Sequence, residues 1–148
     1  MPRAILIYET GSGYTEKMAK AIEVALEEAG IKVLLRRTMY MKVDELIDVD
    51  AVLLGSPTYN HDLLHPMKAF LAKMDGVDLK GKVGAAFGSY GSTGEAVQIM
   101  TDSMRDIFGM DVVEPGLKLL TGWDEGCLEE CREFGKKVAE KISNQDAG

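Results

Sequence analysis

Thr10, Gly11, Ser12, Gly13, Tyr14 and Thr15 join an apolar run, residues 4–8, to an amphipathic stretch with helical spacing. A glycine- and hydroxyl-rich turn between a buried strand and a helix N-terminus is suited to seating a phosphate, because backbone N–H groups converge there. Glycine lets the backbone wrap closely round an anion. The hydroxyls of Thr10, Ser12 and Thr15 add donors, and the turn contains no Lys or Arg. A nucleoside-triphosphate loop would need Gly-Lys-Ser/Thr where this chain has Gly13-Tyr14-Thr15. A dinucleotide turn would need a third glycine where this chain has Glu16. What remains is a monophosphate held by hydroxyls and amides, or a tight strand–helix turn capped by Thr15.

Two further turns offer flat-ring chemistry. One is Ser56, Pro57, Thr58, Tyr59, Asn60 and His61, followed by Asp62; the other is Gly88, Ser89, Tyr90, Gly91 and Ser92. A heteroaromatic ring needs stacking on its faces and hydrogen bonds at its edges. Tyr59 and Tyr90 each offer stacking of about 0.5–1.5 kcal/mol beyond burial. Each tyrosine taken alone reads equally well as a loop anchor. Together with the anion turn they point to flavin mononucleotide (FMN). His61 and His65 have only Asp62 as a third donor, so no metal site is read there.

The elements that must position these turns alternate along the chain. Strands are expected at 4–8, 32–36, 51–55 and 82–87, with a last strand region at 111–120 interrupted by Pro115 and Gly116. Helices are expected at 15–29, stopped by Gly30, and at 66–74 with Pro66 in the first turn. Ser92 and Glu95 have capping-box spacing ahead of a helix reaching Phe108. Asp124 is placed to cap a final helix, with Trp123 and Leu128 as its hydrophobic staple. Residues 42–50 hold at most a short helix. Strands 51–55 and 82–87 are nearly unbroken apolar runs, as in sheets covered on both faces. The pattern gives one α/β domain over residues 1–148, a three-layer open parallel sheet of five strands with right-handed crossovers. All three turns then lie beyond the carboxyl ends of the strands, where such folds bind ligands.

With 148 residues, the chain is long enough for one domain with a substantial core. Its net charge of −7 argues against nucleic acid, which demands a basic patch. No apolar run approaches a membrane span, so a soluble, cytoplasmic domain is expected. Cys127 and Cys131 share the apolar stripe of the last helix with Leu128, Phe134, Val138 and Ile142, which makes them buried hydrophobes rather than ligands.

The chain resembles a short-chain flavodoxin, and most closely the flavodoxin-like domain of flavodiiron proteins (A-type flavoproteins). The resemblance is carried by residues 10–15, by Gly55-Ser56-Pro57-Thr58-Tyr59-Asn60, by Ala85-Ala86-Phe87-Gly88-Ser89-Tyr90-Gly91 and by Cys131-Arg132-Glu133-Phe134-Gly135. It implies a flavodoxin-like strand order of 2-1-3-4-5, with FMN phosphate in the first turn and the isoalloxazine ring between the second and third. Three departures stand out. Ser92 follows Tyr90-Gly91 where many members have Trp. Asn60-His61-Asp62 lies where a glycine often sits beside flavin N5. The diiron domain is absent, so oxygen or nitric oxide reduction is not assigned to this chain alone.

The expected function is electron transfer, with FMN carrying the chemistry and the protein tuning it. Electrons would pass between a donor and a separate acceptor, with a diiron or iron–sulfur protein among the candidates. Alternatives are an FMN-dependent NAD(P)H:quinone-type reductase and a flavin-free interaction module. No acid–base catalyst is expected. Asp62 is the nearest acid by sequence to the ring. A carboxylate about 8 Å from a reducing flavin costs about 2 kcal/mol at an effective dielectric of 20, or about 90 mV for one electron. His61 is expected beside the flavin edge, able to change charge near neutrality.

Overall fold

The computed structural model describes residues 2–121 and 127–147. The proposed Asp124 cap and Trp123 staple lie outside the described residues. Strand β1 (Arg3–Tyr8) leads into helix α1 (Tyr14–Glu28), then strand β2 (Lys32–Arg37). Strand β3 (Ala51–Gly55), helix α2 (His65–Met74), strand β4 (Val83–Tyr90) and helix α3 (Glu95–Asp102) follow. Two short strands, β5 (Asp111–Val112) and β6 (Leu117–Leu120), precede helix α4 (Leu128–Ala147). All strand pairings in the sheet are parallel, in the order β2-β1-β3-β4-β5. The Pro115-Gly116 break, which includes a cis Glu114–Pro115 bond, divides the fifth position in two. β5 pairs with the start of β4 and β6 with its end.

Strand alternation sorts the core into two layers. Ala4, Leu6 and Tyr8 of β1 face α1 and α4, where Met18, Ile22, Leu26, Cys131, Phe134 and Val138 pack. Ile5 and Ile7 face α2 and α3, packing with Met67, Phe70, Met74, Val97 and Met100. β3 is buried along its whole length, as its apolar run requires. β2, at the sheet edge, has no fully buried residue: Lys32 and Arg36 are exposed and the other four are half-buried. Cys131 belongs to the first layer, and burial pushes its thiol up to about 12.

Several boundaries depart from the sequence pattern for identifiable reasons. Helix α1 starts at Tyr14 and has Gly13 at its N-cap in a left-handed conformation, φ 93°, so Thr15 is not its cap. Gly30 is left-handed at φ 86°, as a helix stop should be. β4 continues three residues beyond Phe87, because Gly88, Ser89 and Tyr90 pair with Lys118, Leu119 and Leu120. The capping box at Ser92 does not form, since α3 begins after Gly94 with no cap from its own side chains. Its Ala96 N–H is taken instead by the buried hydroxyl of Thr58, from the turn after β3, at 3.0 Å. Beyond Asp102 the helix widens into a π-helical turn, Ser103–Ile107. Residues 42–50 carry one 3₁₀ turn, Val43–Leu46.

Candidate functional site

The chain leaves β1 for β2 on one side and reaches β3 on the other, so the strand order reverses between β1 and β3. Crevices at such reversals, past the carboxyl ends of the strands, are where doubly wound sheets bind ligands. The turn Thr10–Thr15 opens there. Thr10 Oγ1 accepts the N–H of Gly13 at 2.9 Å, which closes the turn and leaves the threonine O–H available to an incoming acceptor. Thr15 turns inward, fully buried, and its hydroxyl shares a 2.9 Å hydrogen bond with Ser89 from the end of β4. Gly11 and Ser12 form the exposed crest. Lys17 Nζ lies 5.9 Å from the centre of the Tyr14 ring.

The second turn is anchored at its base and exposed at its tip. Buried Ser56 donates to the Pro57 carbonyl at 2.9 Å and accepts the Leu64 N–H at 3.1 Å, holding the two ends of the turn together. Between them Tyr59 and Asp62 exchange two backbone hydrogen bonds of 3.0 Å. The two residues enclosed, Asn60 and His61, both take positive φ, 51° and 63°. That is the geometry of a two-residue hairpin turn with both central residues left-handed, usually filled by Asn-Gly.

Besides the Thr15–Ser89 bond, further contacts bring the turns together. Tyr59 leans over the first turn so closely that a Cβ on Gly11 would stand 2.3 Å from its hydroxyl oxygen. Thr58 donates its N–H to the Ser89 carbonyl at 3.1 Å, extending the β3–β4 ladder, and pairs with Tyr90. His61 Nδ1 meets Glu95 Oε2 at 2.7 Å across the gap between the second and third turns. Beneath this latch is a cavity of about 380 Å³ lined by Thr58, Tyr59, Asn60, His61, Gly91, Ser92 and Thr93. Ligand pockets begin at about 300 Å³. Gly88 belongs to the floor of the site: a Cβ there would come within 2.0 Å of the Ser56 carbonyl oxygen.

These residues fit FMN. The glycine cradle under Tyr59, an α1 terminus with no side-chain cap and the available Thr10 hydroxyl suit a phosphate monoester. The polar-edged cavity beside two tyrosines suits a flat ring. Tyr59 is 47% exposed, with its hydroxyl against Gly11. Tyr90 is half-buried, with Lys118 Nζ 5.9 Å from its ring centre.

Charge around the site is arranged by residues that sequence inspection singled out, Asp62 among them, and by others that it did not, Glu9 and Arg37. Glu9, immediately before the first turn, is 4% exposed and accepts three hydrogen bonds. They come from Arg37 Nη2 at 2.7 Å, the Thr38 N–H at 3.1 Å and the Thr38 hydroxyl at 2.5 Å. Tyr8 donates to Glu16 at 2.8 Å; burial and that carboxylate push the phenol up to about 12. Asp62 is not an isolated carboxylate, because Lys68 pairs with it and the Leu63 N–H donates to it at 2.7 Å. The Lys68 hydrogen bond is the main cause that lowers its pKa. Thr93 and then His61 hold the Glu95 carboxyl down at about 2. The only signal for the Glu9–Arg37 contact was the parallel β1–β2 register, which sets Tyr8 beside Arg37.

A reversed-order parallel sheet with its turns gathered over one crevice defines the doubly wound, mononucleotide-binding class of α/β protein. The family model described as flavodoxin matches residues 6–135, and the chain belongs to the flavodoxin family. Flavodoxins are themselves the type case of FMN bound at a β1/β3 reversal. FMN is therefore the cofactor and electron transfer the function that this family membership brings. The chain is similar to the type A flavoprotein FprA of Rhodobacter capsulatus, 32% identical over 148 positions, covering 97% of this chain and 34% of that protein. It is similar to the nitric oxide reductase of Moorella thermoacetica, 34% identical over 146 positions, covering 96% and 37%. The chain thus spans about a third of the length of these curated relatives. Among solved structures it superposes on a flavodoxin from the domain Archaea with a TM-score of 0.90 and 37% identity, covering 95% of this chain and 99% of that one. Flavodoxin 1 from Bacillus cereus gives 0.87 and 30%, covering 93% and 97%. Among the described residues, no helix is long and apolar enough to cross a membrane.

Proposed function

We propose that residues 1–148 form a single FMN-binding domain that works as a cytoplasmic electron carrier, with the flavin phosphate in the turn Thr10–Thr15. The ring lies between Ser56-Pro57-Thr58-Tyr59-Asn60-His61 and Gly88-Ser89-Tyr90-Gly91-Ser92. The observation that carries this reading is the convergence of the three turns, with Tyr59 over Gly11 and Thr15 bonded to Ser89. When bound, FMN supplies one- and two-electron chemistry that the side chains lack.

The chain's own residues bind and orient. Thr10 and Thr15 present hydroxyls to the phosphate, and the first turn of α1 presents its amides and positive dipole end. Tyr59 and Tyr90 flank the ring and exclude water from its faces. The tip at Asn60 and His61 offers backbone polar groups to the ring edge. Ser92, where many relatives carry a tryptophan, leaves the third turn's side of the groove small and polar.

Flavodoxin-like proteins exchange electrons with redox partners in general. Here the partners are a donor and a separate acceptor, with diiron and iron–sulfur proteins as the candidate classes. Steady-state turnover of the FMN-loaded protein with NADH or NADPH and quinones tests the carrier reading. Slow turnover without a partner protein is expected. Rapid nicotinamide-dependent quinone reduction by the chain alone would instead identify a reductase.

A further inference from the structure

We propose that Arg37 is the positioning residue of the phosphate turn: by holding Glu9 it offsets one of two carboxylates that bracket the turn, and so sets the site's preference for a phosphorylated flavin over riboflavin. The proposal rests on the FMN reading above. The turn Thr10–Thr15 contains no cation, yet a carboxylate stands at each end, Glu9 before it and Glu16 after it. A phosphate dianion entering between them meets two like charges. Hydroxyls and amides orient an anion, but they carry no full charge to offset one.

Arg37 reaches this place from the neighbouring strand, at the carboxyl end of β2. Its Nη2 donates to Glu9 at 2.7 Å, while Thr38 gives the same carboxylate its N–H and its hydroxyl. The Glu9 backbone is fixed as well, its N–H donating to the Gly55 carbonyl at 3.0 Å. Glu9 therefore enters the turn with both main chain and side chain held. Because it is buried, water screens its charge poorly, and the arginine is the cation bonded to it. Arg37 Nε is buried with no hydrogen-bond partner, so Nη2 carries the arginine's contact with Glu9. The opposite bracket is handled differently. Glu16 accepts from Tyr8 at 2.8 Å and has Lys20 at 3.8 Å on the exposed helix face.

The test compares FMN with riboflavin, which lacks the phosphate, by fluorescence titration of apoprotein. Arg37→Gln is expected to weaken FMN about tenfold, the scale of one uncompensated charge acting on a dianion near a protein surface, with riboflavin changed by less than about twofold. Arg37→Lys should retain most FMN affinity. Glu9→Gln added to Arg37→Gln should restore it, because the charge left behind is then gone. Equal losses of both flavins, no loss of FMN, or failure of the double variant to recover would each overturn the proposal. If Arg37→Gln does not fold, Glu9→Gln alone decides: binding FMN at least as tightly as the unmodified protein supports the proposal, and weaker binding overturns it. Failure of the unmodified protein to bind either flavin would instead overturn the FMN reading, and this proposal with it.

Discussion

At Asp62 the carboxylate next to the proposed ring edge is opposed by Lys68 before it reaches any ligand. The cost of about 90 mV that one carboxylate imposes on flavin reduction is therefore largely offset in the native protein. Asp62→Asn should raise the midpoint potential, Lys68→Met should lower it, and the double variant should return close to the native value. A spectroelectrochemical titration checks all three. Glu95 makes a second residue-level prediction. Its ordinary pKa of 4.5 is drawn down to about 2 by the Thr93 hydroxyl and by His61, so the latch is favoured above pH 4.5 and lost as pH falls towards 2. The His61 ring resonances in NMR should move through that window in the native protein and stay put there in Glu95→Gln. Residue chemistry was only partly legible in the sequence. The hydroxyls and glycines of the three turns announce themselves by clustering. Glu9 and Arg37 lie 28 positions apart and meet only through strand register. Glu95 looked like half of a capping box, but α3 starts after Gly94, Thr58 accepts the Ala96 N–H, and the Glu95 carboxylate meets His61.

Among the elements, the hairpin at Asn60 and His61 carries the clearest local cost. Asparagine and histidine tolerate the left-handed region better than most residues, yet a Cβ there still costs about 1 kcal/mol relative to glycine. Asn60→Gly should therefore raise the thermal midpoint by about 2–4 °C for a domain of this size. No rise in a calorimetric scan would show that the turn is relaxed. Gly88 tests the opposite direction. A Cβ 2.0 Å from the Ser56 carbonyl cannot be absorbed by a rotamer change, so Gly88→Ala should destabilise by about 1–3 kcal/mol in denaturant unfolding, from forced backbone shifts. The unbroken apolar runs of β3 and β4 made those strands readable, and Pro66 and Gly30 marked helix ends. The extra length of β4 was not readable, because Gly88, Ser89 and Tyr90 have turn composition. They are held in the sheet by β6, whose pairing is non-local.

For the whole molecule, the parallel sheet followed from alternation and the handedness of crossovers, whereas the strand order came only with the resemblance carried by the turns, since the same alternation fits other orders. Two buried acids tie that packing to pH. Burial raises Cys131 from 9.0 and Tyr8 from 10.0, each to about 12, so both are favoured in their neutral forms. Their contribution is complete below pH 9 and is lost as pH rises through 12. Denaturant stability should fall across that alkaline window, and Tyr8→Phe should flatten the fall between pH 10 and 12. The central claim concerns the crevice where three turns meet. Calorimetric titration of the apoprotein with FMN tests it most directly: one equivalent should bind, with quenching of flavin fluorescence in a parallel titration. Absence of both heat and quenching would contradict the account.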